Sequence, residues 1–237
     1  MSDILQIDMP AKSRIKEYEA GGYYHIYNRG VARNVVFADA QDFAVWMSYL
    51  RVYLLPKNVD ELQSVLSSDT SSWKEKNSAR KLLRLNNFSD TIKLHAYCFL
   101  SNHFHMLIYQ KEQESMDQFM NSLGTRYAMY FNKKYKRVGP LFQGVYKAVR
   151  VTHEEQLLYL TKYIHRNPDP DSQMKTYRSY VHSSYQHYIG ARHDVWVDSA
   201  TILHNARMIN SMYQDFVEDR QGDEQMHMSL QKIVVDL

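Results

Sequence analysis

The spacing of apolar and polar positions changes several times along the chain. Residues 22–28, GYYHIYN, form a short aromatic and β-branched run closed by Gly30, which predicts a strand and a turn. From Asp39 to Leu55 the apolar positions Phe43, Val45, Trp46, Tyr49, Leu50 and Tyr53 fall at helical spacing, and Pro56 ends the run. The interval 57–90 is less regular: it contains the polar stretch SSDTSSWKEKNS and a helical pattern only through Ala79–Leu85. It therefore reads as an insertion or long connection.

Residues 92–99, IKLHAYCF, predict a second strand. Ser101-Asn102 makes a short turn, and HFHMLIY returns as a third strand, giving an antiparallel hairpin. Residues 115–132 carry Phe119, Leu123, Tyr127, Tyr130 and Phe131 at helical spacing, with the helix ending before KKYKRVGP. After Gly139-Pro140, Leu141–Val151 reads as a strand interrupted at Gly144. Thr152 then caps a helix with Glu155 as its capping-box partner, and that helix runs to about Arg166, before Pro168. This order predicts an α/β fold, a ferredoxin-like (RRM-like) antiparallel sheet with helices on one face, plus a final helix and a mainly helical C-terminal extension.

The 237 residues, 44% of them hydrophobic, suffice for one main domain with additions. The division expected is a unit over 1–170, with its insertion near 57–90, and an extension over 171–237. Cys98 is the only cysteine, which excludes an intrachain disulfide and a cysteine-cluster metal site; its neighbours Ala96 and Leu100 place it in the core. No run approaches membrane-spanning length, so the expectation is a cytoplasmic protein without a membrane partner.

A formal net charge of +3 does not announce a nucleic-acid partner, but its distribution does more. Between Arg126 and Val151 lie Arg126, Lys133, Lys134, Lys136, Arg137, Lys147 and Arg150 without one Asp or Glu. Such a block fits phosphate contact, with Gln143 available to an unpaired base; a solvated basic surface explains the same block.

In a strand, His103 and His105 share a face, while Phe104, Met106 and Ile108 point the other way into a core. Two neutral imidazoles side by side can bind one divalent ion. A backbone-bonded histidine beside a solvent-facing one gives the same spacing, and two ligands are too few for a closed site. Tyr163 and Asn167 lie four apart at the end of the last helix and share one face of it. A phenol beside an amide-oxygen ligand suits phosphoryl transfer, with Tyr163 as nucleophile, activated by a metal or by an aligned proton acceptor. The plainer reading makes Tyr163 a core residue and Asn167 a helix cap before Pro168.

Four stretches in order carry a likeness: GGYYHIYNRG at 21–30, LHAYCFLSNHFHMLI at 94–108, YFNKKYKRVGPLFQG at 130–144 and YLTKYIHRNP at 159–168. Together they resemble the IS200-like (Y1, HUH-type) transposases, and most closely the REP-associated tyrosine transposases, over about residues 20–170. The resemblance implies a single-stranded DNA endonuclease and strand transferase acting near DNA hairpins. It implies Mg²⁺ or Mn²⁺ held by His103, His105 and Asn167, a 5′-phosphotyrosine on Tyr163, and a homodimer. Phe104 and the 57–90 interval depart from the family pattern. Two other functions remain open: a non-catalytic ferredoxin-like nucleic-acid-binding protein, and a metal phosphodiesterase using an activated water.

Overall fold

The computed structural model describes residues 18–168, 177–219, 223–231 and 233–234. Four strands, β1 (Gly22–Arg29), β2 (Ile92–Phe99), β3 (His103–Gln110) and β4 (Lys147–Val151), form one sheet in the order β2-β3-β1-β4. All three pairings are antiparallel. With a helical crossover between β1 and β2 and another between β3 and β4, this is the ferredoxin-like arrangement.

Helix α1 (Ala40–Leu54) starts where the Asp39 side chain accepts from the Asp42 amide at 3.0 Å. It stops at Leu55, whose extended backbone is the conformation a following proline imposes. The 57–90 interval is more ordered than its composition suggests. It contains α2 (Val59–Ser67) and α3 (Trp73–Arg84), the latter opened by a complete capping box between Ser72 and Glu75. Helix α4 (Ser115–Lys134) is the longest, and α5 (Glu154–Arg166) follows β4.

Two details differ from the sequence reading. Only Lys147–Val151 of the segment 141–151 is strand: Gly144 has a φ of 84°, and the Tyr146 hydroxyl turns away to donate to Asp117 at 2.5 Å. The N-cap of α5 is His153 rather than Thr152; Gln156, not Glu155, folds back to accept from the Thr152 amide at 3.3 Å.

The added final helix and the C-terminal extension cover the second face of the sheet. Helices α1 and α4 bury Tyr24, Ile26, Tyr97, Phe99, Phe104, Met106 and Ile108 on one side, against Trp46, Phe119 and Tyr127. Double coverage explains why β1 reads as a nearly unbroken aromatic run instead of alternating. On the other face Ala96, Cys98, Leu107 and Val151 meet Leu157, Leu160 and Ile164 of α5. That second core is completed by α6 (Tyr185–Tyr188), α7 (Ser199–Asn205), α8 (Asn210–Glu218) and α9 (Asp223–Leu230) through Tyr185, Tyr188, Ile202, Tyr213, Val217, Met226 and Leu230, and by Ile233 beyond α9.

The C-terminal chain also seals the edge of the sheet. Along β2, the amide of Phe99 donates to the His182 carbonyl (3.0 Å), Ser184 N donates to Tyr97 O (2.9 Å) and Asp198 N to Leu94 O (2.9 Å). An open row of strand donors and acceptors is thereby removed. At the opposite end of the hairpin, Val36 N and Phe37 N both donate to the Ser101 carbonyl, at 2.7 and 2.9 Å, and Gly30 N donates to Asn102 O at 2.8 Å. The turn after β1 is thus bound to the turn before His103. A Cβ on Gly30 would lie 2.0 Å from the Asn34 carbonyl oxygen, so this close approach requires glycine.

Candidate functional site

The antiparallel register places Arg29 opposite His103 and Tyr27 opposite His105, with His25 one pleat further on the same face. Helix α5 crosses this face, and its last turn brings Tyr163 and the C-cap residue Asn167 over the histidines. The Tyr163 ring stands edge-on to His105 (centroids 5.5 Å apart, 88°) and to His25 (6.0 Å, 81°). Arg29, Arg33, Asn102, His103, His105, Tyr163 and Asn167 line one cleft of about 290 Å³, and none of them is acidic. The four residues singled out from sequence for chemistry therefore meet within a single chain.

Hydrogen-bond accounting shows what the cleft offers. His103 Nδ1 lies 2.6 Å from Asn102 Oδ1, an acceptor, so the imidazole proton belongs on Nδ1 and Nε2 carries a lone pair. That Nε2 faces Asn167 Oδ1 at 3.3 Å. The Asn167 amide is oriented by its Nδ2, which donates to the Tyr163 carbonyl at 3.4 Å. Two acceptors thus point at one another with no proton between them. His105, buried to 1% exposure, has its Nδ1 2.9 Å from His25 Nε2. The ring is enclosed by β1 and α5, yet it borders the cleft.

Burial lowers the pKa of His103, assisted by Arg29 and partly opposed by Asn167. Burial likewise holds His105 well below the ordinary histidine value, with His25 and His103 adding to the effect. Both rings are consequently neutral near neutral pH, as metal ligation requires. Two imidazole nitrogens and an amide oxygen would offer a cation an uncharged set of three donors, one that suits Mn²⁺ better than the all-oxygen preference of Mg²⁺. Among the described residues no group of three His, Cys, Asp or Glu is arranged to hold a metal ion.

The basic residues are dispersed. Arg126 stacks on the Tyr49 ring, 3.8 Å from its centroid, away from the cleft. Lys134 is bound by Asp39 (2.7 Å) and Asp42 (2.8 Å), and Arg150 pairs with Glu19. Arg137 sits half-buried over Phe131, whereas Lys133, Lys136 and Lys147 are exposed, Lys147 beside Tyr27. Gln143 accepts from Arg29 and so reaches the rim of the cleft. Arg29, Arg33 and His25 went unnoticed in the sequence. The signal for Arg29 and His25 is their odd-numbered place on β1 with Tyr27, but it becomes readable only once the β1–β3 register is known.

The last histidine of YIHRNP has another task. His165 points to the far side of α5, between the Tyr213 hydroxyl (2.7 Å) and Ser184 Oγ (2.8 Å), and joins the C-terminal helices to the core. No helix among the described residues is long and apolar enough to cross a membrane.

Residues 69–167 match the sequence model of the IS200-like transposases, a span that begins inside the 57–90 interval and contains His103, His105, Tyr163 and Asn167. His25, Arg29 and the C-terminal helices lie outside it. No curated protein matches the chain. A solved structure of a REP-associated tyrosine transposase bound to a REP hairpin is similar at 9% identity and a TM-score of 0.42, covering 78% of this chain and 96% of that one. Over residues 69–167, less than half of its length, the chain is thus similar to the IS200-like transposases.

Proposed function

We propose that the protein is a single-stranded DNA endonuclease and strand transferase that works near DNA hairpins through a covalent tyrosyl intermediate. The observation that carries this reading is the convergence of the Tyr163 ring, the paired imidazoles and Asn167 Oδ1 on one cleft rimmed by arginines. A divalent cation, Mg²⁺ or Mn²⁺, would be held by His103 Nε2, His105 Nε2 and Asn167 Oδ1 and would supply Lewis-acid polarisation of the scissile phosphate.

Tyr163 Oη gives up its proton as it attacks phosphorus, the P–O3′ bond breaks, and the departing oxygen takes up a proton as a free 3′-hydroxyl. The 5′ end stays on the enzyme as a phosphotyrosine, which preserves the energy of the phosphodiester for a later attack by another 3′-hydroxyl. Arg29 and Arg33 give the phosphate its counter-charge. Lys133, Lys136, Arg137 and Lys147 serve backbone contacts further along the strand, and Gln143 lies where it can reach an unpaired base. Arg126, Lys134 and Arg150, already stacked or paired, contribute less. A homodimer would hold two such sites rather than assemble one from both copies.

The test is incubation of the protein with an end-labelled hairpin carrying single-stranded flanks, with Mn²⁺, followed by denaturing electrophoresis. A label that migrates with the protein supports the reading. Cleavage without an adduct points to attack by water, and binding without cleavage to a non-catalytic protein.

A further inference from the structure

We propose that His25 is a positioning residue, fixing the tautomer of His105 so that its Nε2 lone pair faces the cleft, and that the C-terminal chain sets His25 in turn. The proposal rests on the metal reading above for its functional consequence, but not for the tautomer itself.

The argument begins at a group with no choice. The carbonyl of Ile233 can only accept, and it lies 3.0 Å from His25 Nδ1, so that nitrogen carries the proton. A neutral imidazole has one, which leaves His25 Nε2 bare. Its partner at 2.9 Å, His105 Nδ1, must therefore donate. This uses the single proton of His105 and leaves a lone pair on Nε2, the nitrogen a ligand-binding histidine needs free. The opposite assignment would put the His25 Nδ1 lone pair against the Ile233 carbonyl oxygen, with no solvent to intervene at a ring only 1% exposed.

Packing holds the relay in plane. The His25 and His105 ring planes lie within 15° of each other with centroids 5.2 Å apart, and the Tyr27 ring lies 4.9 Å from His25 and 5.9 Å from His105. Ile233, 2% exposed, is fixed in the same apolar cluster as Leu107, Val151, Leu160 and Leu230. A segment far beyond the family-matched span thus becomes part of the outer shell of the site.

The experiment has two arms, both on the full chain. Long-range ¹H–¹⁵N correlation on the metal-free protein, with the His105 signals assigned by their loss in His105→Gln, reads the tautomer directly. A proton on Nδ1 with a bare Nε2 is expected; a proton on Nε2 overturns the proposal. In the second arm Mn²⁺ binding is followed by electron paramagnetic resonance. His25→Phe, which keeps the ring but lacks the acceptor, should weaken Mn²⁺ about 10–100-fold. His25→Gln places an amide oxygen where Nε2 was and should recover most of that loss. Equal Mn²⁺ affinity for wild type and His25→Phe overturns the proposal. A wild type that binds no Mn²⁺ overturns the metal reading instead, with the tautomer still decided by the first arm.

Discussion

Asn167 Oδ1 and His103 Nε2 face each other at 3.3 Å, and neither has a proton to offer the other. A cation between or beside two lone pairs held this close relieves their opposition. Asn167→Leu should therefore weaken Mn²⁺ by at least the ~10-fold that loss of an outer-shell partner costs. Asn167→Asp, which adds a charge to the same position, should tighten it. Isothermal titration with Mn²⁺ on the two variants checks the opposite signs.

The arginines of the cleft would repel a cation bound alone, and a phosphate between them removes the conflict. Mn²⁺ should bind more tightly when single-stranded DNA is present, and DNA more tightly with Mn²⁺, by one common factor. Arg33→Ala should weaken DNA binding and lower the slope of log affinity against log salt by about 0.7. Fluorescence anisotropy across a salt series measures both effects.

Acid should destabilise the protein well before its carboxylates titrate. Burial depresses His165 from 6.5 to about 3, and the close neighbour His187 adds to the shift. The unfolded chain thus binds the proton first, so the stability held above pH 6.5 is lost as pH falls toward 3. This one residue contributes a slope approaching ~1.4 kcal/mol per pH unit in that window. Denaturant unfolding at pH 7.5 and pH 5 should show a smaller difference for His165→Gln than for wild type.

Gly30→Ala tests the coupling of the two turns. The added methyl meets the Asn34 carbonyl at 2.0 Å, so the 30–37 loop must move away from Ser101 and Asn102. A loss of about 1–3 kcal/mol in thermal or denaturant stability is expected, along with weaker Mn²⁺ binding, because Asn102 orients His103.

The hairpin and its histidine pair were legible because a two-residue strand period and a short turn are local signals. Tyr163 and Asn167 were legible because four residues make one helical turn. What escaped depends on distance along the chain. The partners of Lys134 and Arg150 come from Asp39, Asp42 and Glu19, so a run free of acids is not a run of free charges. His25 gains its meaning from β3 and from Ile233, 208 positions away. Helix α3 opens on a Ser72–Glu75 capping box that the sequence reading, limited to Ala79–Leu85, did not use, whereas the same pattern at Thr152 and Glu155 proved empty.

The most direct measurement is the identity of the residue that holds the DNA. The trapped adduct would be digested with protease and nuclease and the nucleotide-bearing peptide sequenced by mass spectrometry. A nucleotide esterified to Tyr163, and no adduct from Tyr163→Phe, is the predicted result. A nucleotide on any of the other tyrosines, or an adduct of equal yield from the variant, would contradict it.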